Sequence, residues 1–145
     1  MTTEEKQLLL KDLSARLPYG VICHGVTKDT DEDGNYIDEE VTNTLCELHS
    51  YKACYGLVGL MNECDIESIK PYLRPMYSMT EEEKKEFQAC HCVYGWHPDF
   101  QPTMCNLANE CNMFDWLIAH HFDFRGLISK GLALEAPEDM YKKIC

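Results

Sequence analysis

Apolar positions near the N-terminus recur with a helical period. Leu10, Leu13 and Leu17 fall at i, i+3 and i+7, with Leu9 beside them, and predict a helix over 3–17. Thr2 and Glu5 form a capping box, in which hydroxyl and carboxylate satisfy amides the first turn leaves unpaired. Pro18 and Gly20 stop the helix. The leucine stripe needs a partner surface, and the charged positions are expected to face water. Tyr19 to Thr27 then reads as a strand carrying Val21, Ile22 and Val26. Lys28 to Glu40 is a polar loop that turns on Asp33-Gly34, a hairpin signal. Val41 to Tyr51 and Ala53 to Leu60 are the next two expected strands. In the first of these, Val41, Leu45, Leu48 and Tyr51 also fit a helical period. Gly56 and Gly59 favour a strand, bend or bulge in the second.

The second half alternates breakers and formers. Pro71 and Pro75 exclude a regular helix over 64–77 and predict a short strand or turn, then an extended segment across the core. Thr80 to Cys90 is a helix: Thr80 and Glu83 repeat the capping box, acids fill the first turn, and Lys84 and Lys85 follow. Val93 to Cys111, with Gly95, Pro98 and Pro102, is expected to be irregular. Asp115 is expected to cap a helix through Phe122, with Arg125 to Lys130 continuing or restarting it and Gly131 ending it. Leu132 to Cys145 is a tail that docks by Leu132, Leu134 and Tyr141. A helix, hairpin-linked strands and further helices is an α+β order. The expected architecture is one domain over 1–145: a small bent antiparallel sheet or SH3-like partial barrel flanked by N-terminal and C-terminal helices.

Composition supports one globular domain, since 145 residues with 45% hydrophobic and 26% charged positions match ordinary usage. Charge changes the picture more. Thirteen Lys and Arg against 25 Asp and Glu give −12, which disfavours direct nucleic-acid binding and leaves a basic partner open. The acids cluster over 29–40 and at Glu81, Glu82 and Glu83. The first six residues lack the positive start and apolar run of a secretory signal, and no stretch of about 18 apolar residues predicts a membrane span. The expected compartment is therefore the cytoplasm. There the nine cysteines, an odd number, stay mostly free, several as small core hydrophobes.

Residues 8–21 (LLLKDLSARLPYGV), 65–83 (DIESIKPYLRPMYSMTEEE) and 115–141 (DWLIAHHFDFRGLISKGLALEAPEDMY) resemble a widespread family of small uncharacterised proteins from gut anaerobes (Bacteroides-type) and their prophage-like elements. The likeness covers both ends and a central band, under half of the chain. It implies a bacterial cytoplasmic or mobile-element setting and no enzyme activity. It also implies that 22–64 and 91–112 are the variable segments, which demotes the metal-like features within them.

Three constellations carry candidate chemistry. Residues 29–40 satisfy D-x-[DN]-x-[DN]-G-x5-E, so Asp29, Asp31, Asp33, Asn35 and Glu40 could supply oxygens to calcium around a turn at Gly34. The preceding segment, with Pro18, Gly20 and Gly25, is not an entering EF-hand helix, and a solvated acidic hairpin loop is the structural alternative. Cys90, His91, Cys92, His97, Cys105 and Cys111 offer thiolates and imidazoles for zinc, of which four suffice, with Cys90, Cys92, His97, Cys105 and Cys111 as the ligand set. Their spacing lacks paired C-x2-C knuckles, and partly buried thiols are the alternative. Asp115, His120, His121 and Asp123 could bring imidazole and carboxylate to one helix face for acid–base work. No serine or cysteine nucleophile motif lies nearby, so capping and packing at a helix end is the stronger reading.

Cys23 and His24 are neighbours whose side chains point to opposite faces of a strand, which argues against a catalytic pair. Tyr19, Tyr72, Trp96 and Trp116 read as core or partner contacts, and Arg74 as an internal ion pair or a partner anchor. The leading expectation is a non-enzymatic protein-binding or regulatory module with an unidentified protein partner and no cofactor. The alternatives are a metal-binding module, with calcium at 29–40 or zinc at 90–111, and a small hydrolase using His120 or His121.

Overall fold

The structure, a computed structural model, describes residues 1–44, 66–91 and 104–142. The first helix, α1 (Thr3–Arg16), starts on the expected capping box: the Glu5 amide donates to Thr2 Oγ1 at 3.1 Å and the Thr2 amide to Glu5 Oε2 at 2.7 Å. One 3-10 turn, Leu17–Tyr19, follows and closes on Gly20 at φ 68°. Strands β1 (Ile22–Thr30) and β2 (Tyr36–Thr44) form an antiparallel hairpin in register from Ile22 opposite Thr44 to Thr30 opposite Tyr36. Strand β3 (Lys70–Leu73) pairs antiparallel with β1, and β4 (Leu134–Glu135) pairs parallel with β3. The four-stranded sheet is open and mixed, in the order β2-β1-β3-β4. Helices α2 (Glu81–His91) and α3 (Met104–Ala119) lie between β3 and β4 in sequence. The chain is thus α+β with helices toward both ends, as its order of elements predicts.

Several boundaries move. The strands extend well into 28–40, so the loop shrinks to 31–35, where Asp31 Oδ1 accepts the amides of Asp33 at 3.0 Å and Asn35 at 2.8 Å. Hydrogen bonds along the β1–β2 ladder hold these polar residues extended despite their low strand propensity. The expected strand from Val41 is continuous with β2 as far as Thr44, while 45–60 lies outside the described residues. Helix α3 already covers 104–111, where irregular chain is expected, and Asp115 sits exposed inside it rather than at its start. No Pro or Gly occurs from Thr103 to Arg125, and burial of Leu117 and Ile118 rewards the continuous helix. Residues 124–125 and 127–131 form turns, not a helix.

The main core joins Leu9 and Leu13 of α1 to Val21, Cys23, Ile69, Leu73, Leu127, Leu132 and Ala133. The expected tail is therefore part of the core and of the sheet. A second cluster, Met79, Leu117 and Phe122 with Phe87, Trp116 and Phe124 around it, holds α2 against α3. Burying one leucine or phenylalanine stabilises by roughly 1.5–3 kcal/mol, so either cluster outweighs the local propensities above.

Candidate functional site

The end of α3 and the turn that follows it have the same closing hydrogen bonds and different residues. After α3, the Phe122 amide donates to Leu117 O at 2.9 Å and the His121 amide to Ile118 O at 3.1 Å. After the turn at 127–130, the Leu132 amide donates to Leu127 O at 2.9 Å and the Gly131 amide to Ile128 O at 3.0 Å. Both are Schellman motifs, which require a left-handed residue. Gly131 supplies it at φ 70°, without a Cβ penalty, whereas His121 adopts φ 60° at a cost of roughly 1–2 kcal/mol.

Tertiary contacts hold His121 there. Its ring stacks on Tyr141, centroids 3.9 Å apart, and its carbonyl accepts the Arg74 amide at 2.8 Å. Only 6% of the residue is exposed, and Nδ1 is buried without a partner among the described residues. Burial first, then the positive charges of Arg16, His120 and Arg74, push the imidazole pKa down to about 4.

Arg16, fully buried, completes the end of α3. Its Nη2 donates to Phe122 O at 2.8 Å and its Nη1 to Ile118 O at 3.4 Å, so a cation meets the negative end of the helix. Asp12, one turn earlier on α1 and also fully buried, accepts Arg16 Nε at 2.7 Å and Arg125 Nε at 3.2 Å. These charged positions do not face water as expected. The i, i+4 spacing places Asp12 and Arg16 on the same face as Leu9 and Leu13, and α3 covers that face.

Arg74 and Tyr141, which hold His121, also line an open cleft of about 500 Å³. One wall is the proline segment, with Arg74, Pro75, Tyr77 and Ser78; the other is the C-terminal segment, with Glu135, Pro137, Glu138, Tyr141 and Lys142. Arg74 is gripped by both oxygens of Glu83, at 2.7 and 2.9 Å, and covers the Phe122 ring at 4.2 Å. That guanidinium lowers the Glu83 carboxyl pKa. The Tyr141 hydroxyl accepts the Ile22 amide at 3.0 Å and donates to Tyr72 O at 2.7 Å, tying the C-terminal wall to β1 and β3. Tyr77 Oη donates to Glu135 Oε1 at 2.6 Å, joining the two walls.

The sequence candidates scatter. Asp29 lies on β1 opposite Ile37, while Glu40 lies on β2 opposite Val26, three residues further along the ladder and on the order of 10 Å from the turn end. Asp31 is occupied by its own turn: Asn35 and then other turn amides lower its carboxyl pKa. Asp33 and Asn35 lie in the turn beside it. Cys90 is half-buried on α2, its thiol donating to Glu86 O at 3.4 Å, Cys105 falls within α3, and Cys111 is exposed there. Cys92, His97 and Trp96 lie outside the described residues. Among the described residues no group of three His, Cys, Asp or Glu is placed to share an ion.

His120, His121 and Asp123 likewise serve separate purposes, and Asp115 is exposed on α3. His120 stacks on Trp116 at 3.9 Å, with Nδ1 2.8 Å from Trp116 O. Asp123 accepts the amides of Leu127 at 2.7 Å and Ile128 at 2.9 Å. Cys23 is buried and His24 half-buried, and burial raises the Cys23 thiol pKa far above the usual range. Of the cleft residues, the sequence points to a contact role for Arg74, as an ion pair or partner anchor, and for Tyr141, as a docking contact, and to backbone roles for Pro75, Thr80 and Glu83. Tyr77 and Pro137 were legible only as a tyrosine and a proline on two segments far apart in the chain.

No family model matches the chain, and neither the curated proteins nor the solved structures offer a match.

Proposed function

We propose that the chain is a non-enzymatic protein-binding or regulatory module of a bacterial or mobile-element system, working in the cytoplasm, with the C-terminal cleft as its recognition surface. The observation that carries this reading is the division of labour among polar groups. Asp12, Arg16 and Asp123 are committed to internal hydrogen bonds, while Tyr77, 80% exposed, stands at the mouth of a cleft with Pro75 and Pro137. Exposed tyrosine on a rigid frame is a common anchor for a protein partner. An acid–base imidazole must reach its substrate, and His121 is covered. No helix among the described residues is long and apolar enough to cross a membrane.

The test is selection from a displayed library of random peptides, with Tyr77→Ala as the counter-target. Peptides that bind the natural chain and lose binding to the variant support the reading. Absence of any binder, or binders indifferent to Tyr77, would overturn it.

A further inference from the structure

We infer that the cleft takes a cationic side chain, arginine or lysine, presented on an extended peptide and held against Tyr77 by the carboxylates of Glu135 and Glu138. This rests on the reading of the cleft as a protein-binding surface and names the chemistry of its partner.

The bookkeeping of donors and acceptors carries it. Each cation in the cleft has a carboxylate partner of its own. Arg74 spends Nη1 and Nη2 on Glu83 and lays its face on Phe122. Lys142 Nζ sits 2.7 Å from Asp139, a bond that raises its pKa. The neutral groups are engaged as well: Ser78 donates to Pro75 O at 2.8 Å, and the Tyr141 hydroxyl bridges Ile22 and Tyr72. The acids keep capacity in reserve. An ionised carboxylate has about four acceptor positions. Glu135 uses one of its oxygens on the Tyr77 hydroxyl, and Glu138, its side chain 91% exposed, meets Lys142 only at 3.5 Å. An incoming anion would meet the carboxylates of Glu135 and Glu138, whereas an incoming ammonium or guanidinium would find acceptors and an aromatic ring, the combination that favours cation–π contact.

Net charge points the same way. Glu83, Glu135 and Glu138 outnumber Arg74 and Lys142 in the lining, and the whole chain carries −12, a field that draws cations in. Pro75 and Pro137 flank the site with stiff apolar surface suited to an extended backbone.

The test is an NMR titration of the intact chain with the peptide Gly-Pro-Arg-Pro-Gly, its lysine analogue, and a third in which neutral citrulline replaces arginine. The expected result is amide shifts confined to 74–83 and 135–142 for the arginine and lysine peptides, weakening as salt rises. Citrulline should bind about tenfold more weakly, and E135Q/E138Q should weaken the charged peptides by a similar factor and the citrulline peptide by less. Equal binding of arginine and citrulline, shifts elsewhere, or no shifts at millimolar peptide would overturn the inference. Displayed peptides that need Tyr77 but lack basic residues would keep the protein-binding reading and sink this one.

Discussion

The hairpin and the α1–α3 junction handle charge in opposite ways. Glu32, Asp33, Asp38, Glu39 and Glu40 crowd the end of the β1–β2 hairpin and all are exposed, so water screens their mutual repulsion. Asp12 and Arg16 are far fewer and fully buried, where each needs its partners: Arg16 faces Asp12 and two helix carbonyls, and Asp12 faces two arginines. A dense cluster of acid in water specifies little beyond a turn. A single buried pair specifies how one helix sits on the end of another, because every other placement strands a charge.

The largest expected effect comes from breaking the buried side of this contrast. Arg16→Met removes one of the two arginines that face Asp12, together with the donors to Ile118 O and Phe122 O, and is expected to cost about 3–5 kcal/mol in urea unfolding. Asp12→Leu combined with Arg16→Met should cost less than Arg16→Met alone. A double variant less stable than the single one would show that the pair, not the stranded carboxylate, sets the stability.

Acid sharpens the contrast at His121. Its folded pKa, about 4, lies below the ordinary value of 6.5, so the unfolded chain binds the proton first as pH falls. Its contribution is complete above pH 6.5, declines between 6.5 and 4, and levels off below, a loss of about 3 kcal/mol. Asn, which also tolerates the left-handed region, does not titrate. His121→Asn should therefore unfold in urea with a shallower pH dependence than the natural chain over that window. Parallel pH profiles would rule the imidazole out as the cause.

Next in size is the tie between the cleft and the sheet. Tyr141→Phe strands the Ile22 amide and Tyr72 carbonyl at a cost of about 2 kcal/mol, and hydrogen exchange should quicken at Ile22 before it does in α2. Smallest is the exposed side: Asp38→Asn with Glu39→Gln and Glu40→Gln should leave the urea midpoint within its error at moderate salt. A large shift there would mean that the hairpin acids carry structural weight after all.

Much of the fold was legible because it rests on local rules. Both capping boxes, Thr2 with Glu5 and Thr80 with Glu83, form as their spacing predicts. Asp33-Gly34 does turn a hairpin, with Gly34 at φ 81°. Gly131 stops its turn where a glycine should. The site was less legible. His121 performs the same backbone task as Gly131 but carries no such signature, because the stack on Tyr141, the backbone bond from Arg74 and the packing of the junction overrule its preference. Asp115 looked like a cap from its position before an apolar run, yet α3 had begun eleven residues earlier. The cleft joins residues about sixty positions apart, at Tyr77 and Glu135, and no periodicity spans that interval.

The sequence by itself determined where α1 and α2 begin, where the hairpin turns, and which leucines need cover, since those follow from bonds and contacts within a few residues. Only the tertiary structure decided that Asp12 and Arg16 are buried, that β4 joins the sheet in parallel, and that two tyrosines and three glutamates meet at one cleft. Such pairings depend on which surfaces arrive together, and a charge or an aromatic ring takes its meaning from the distant partner that meets it there.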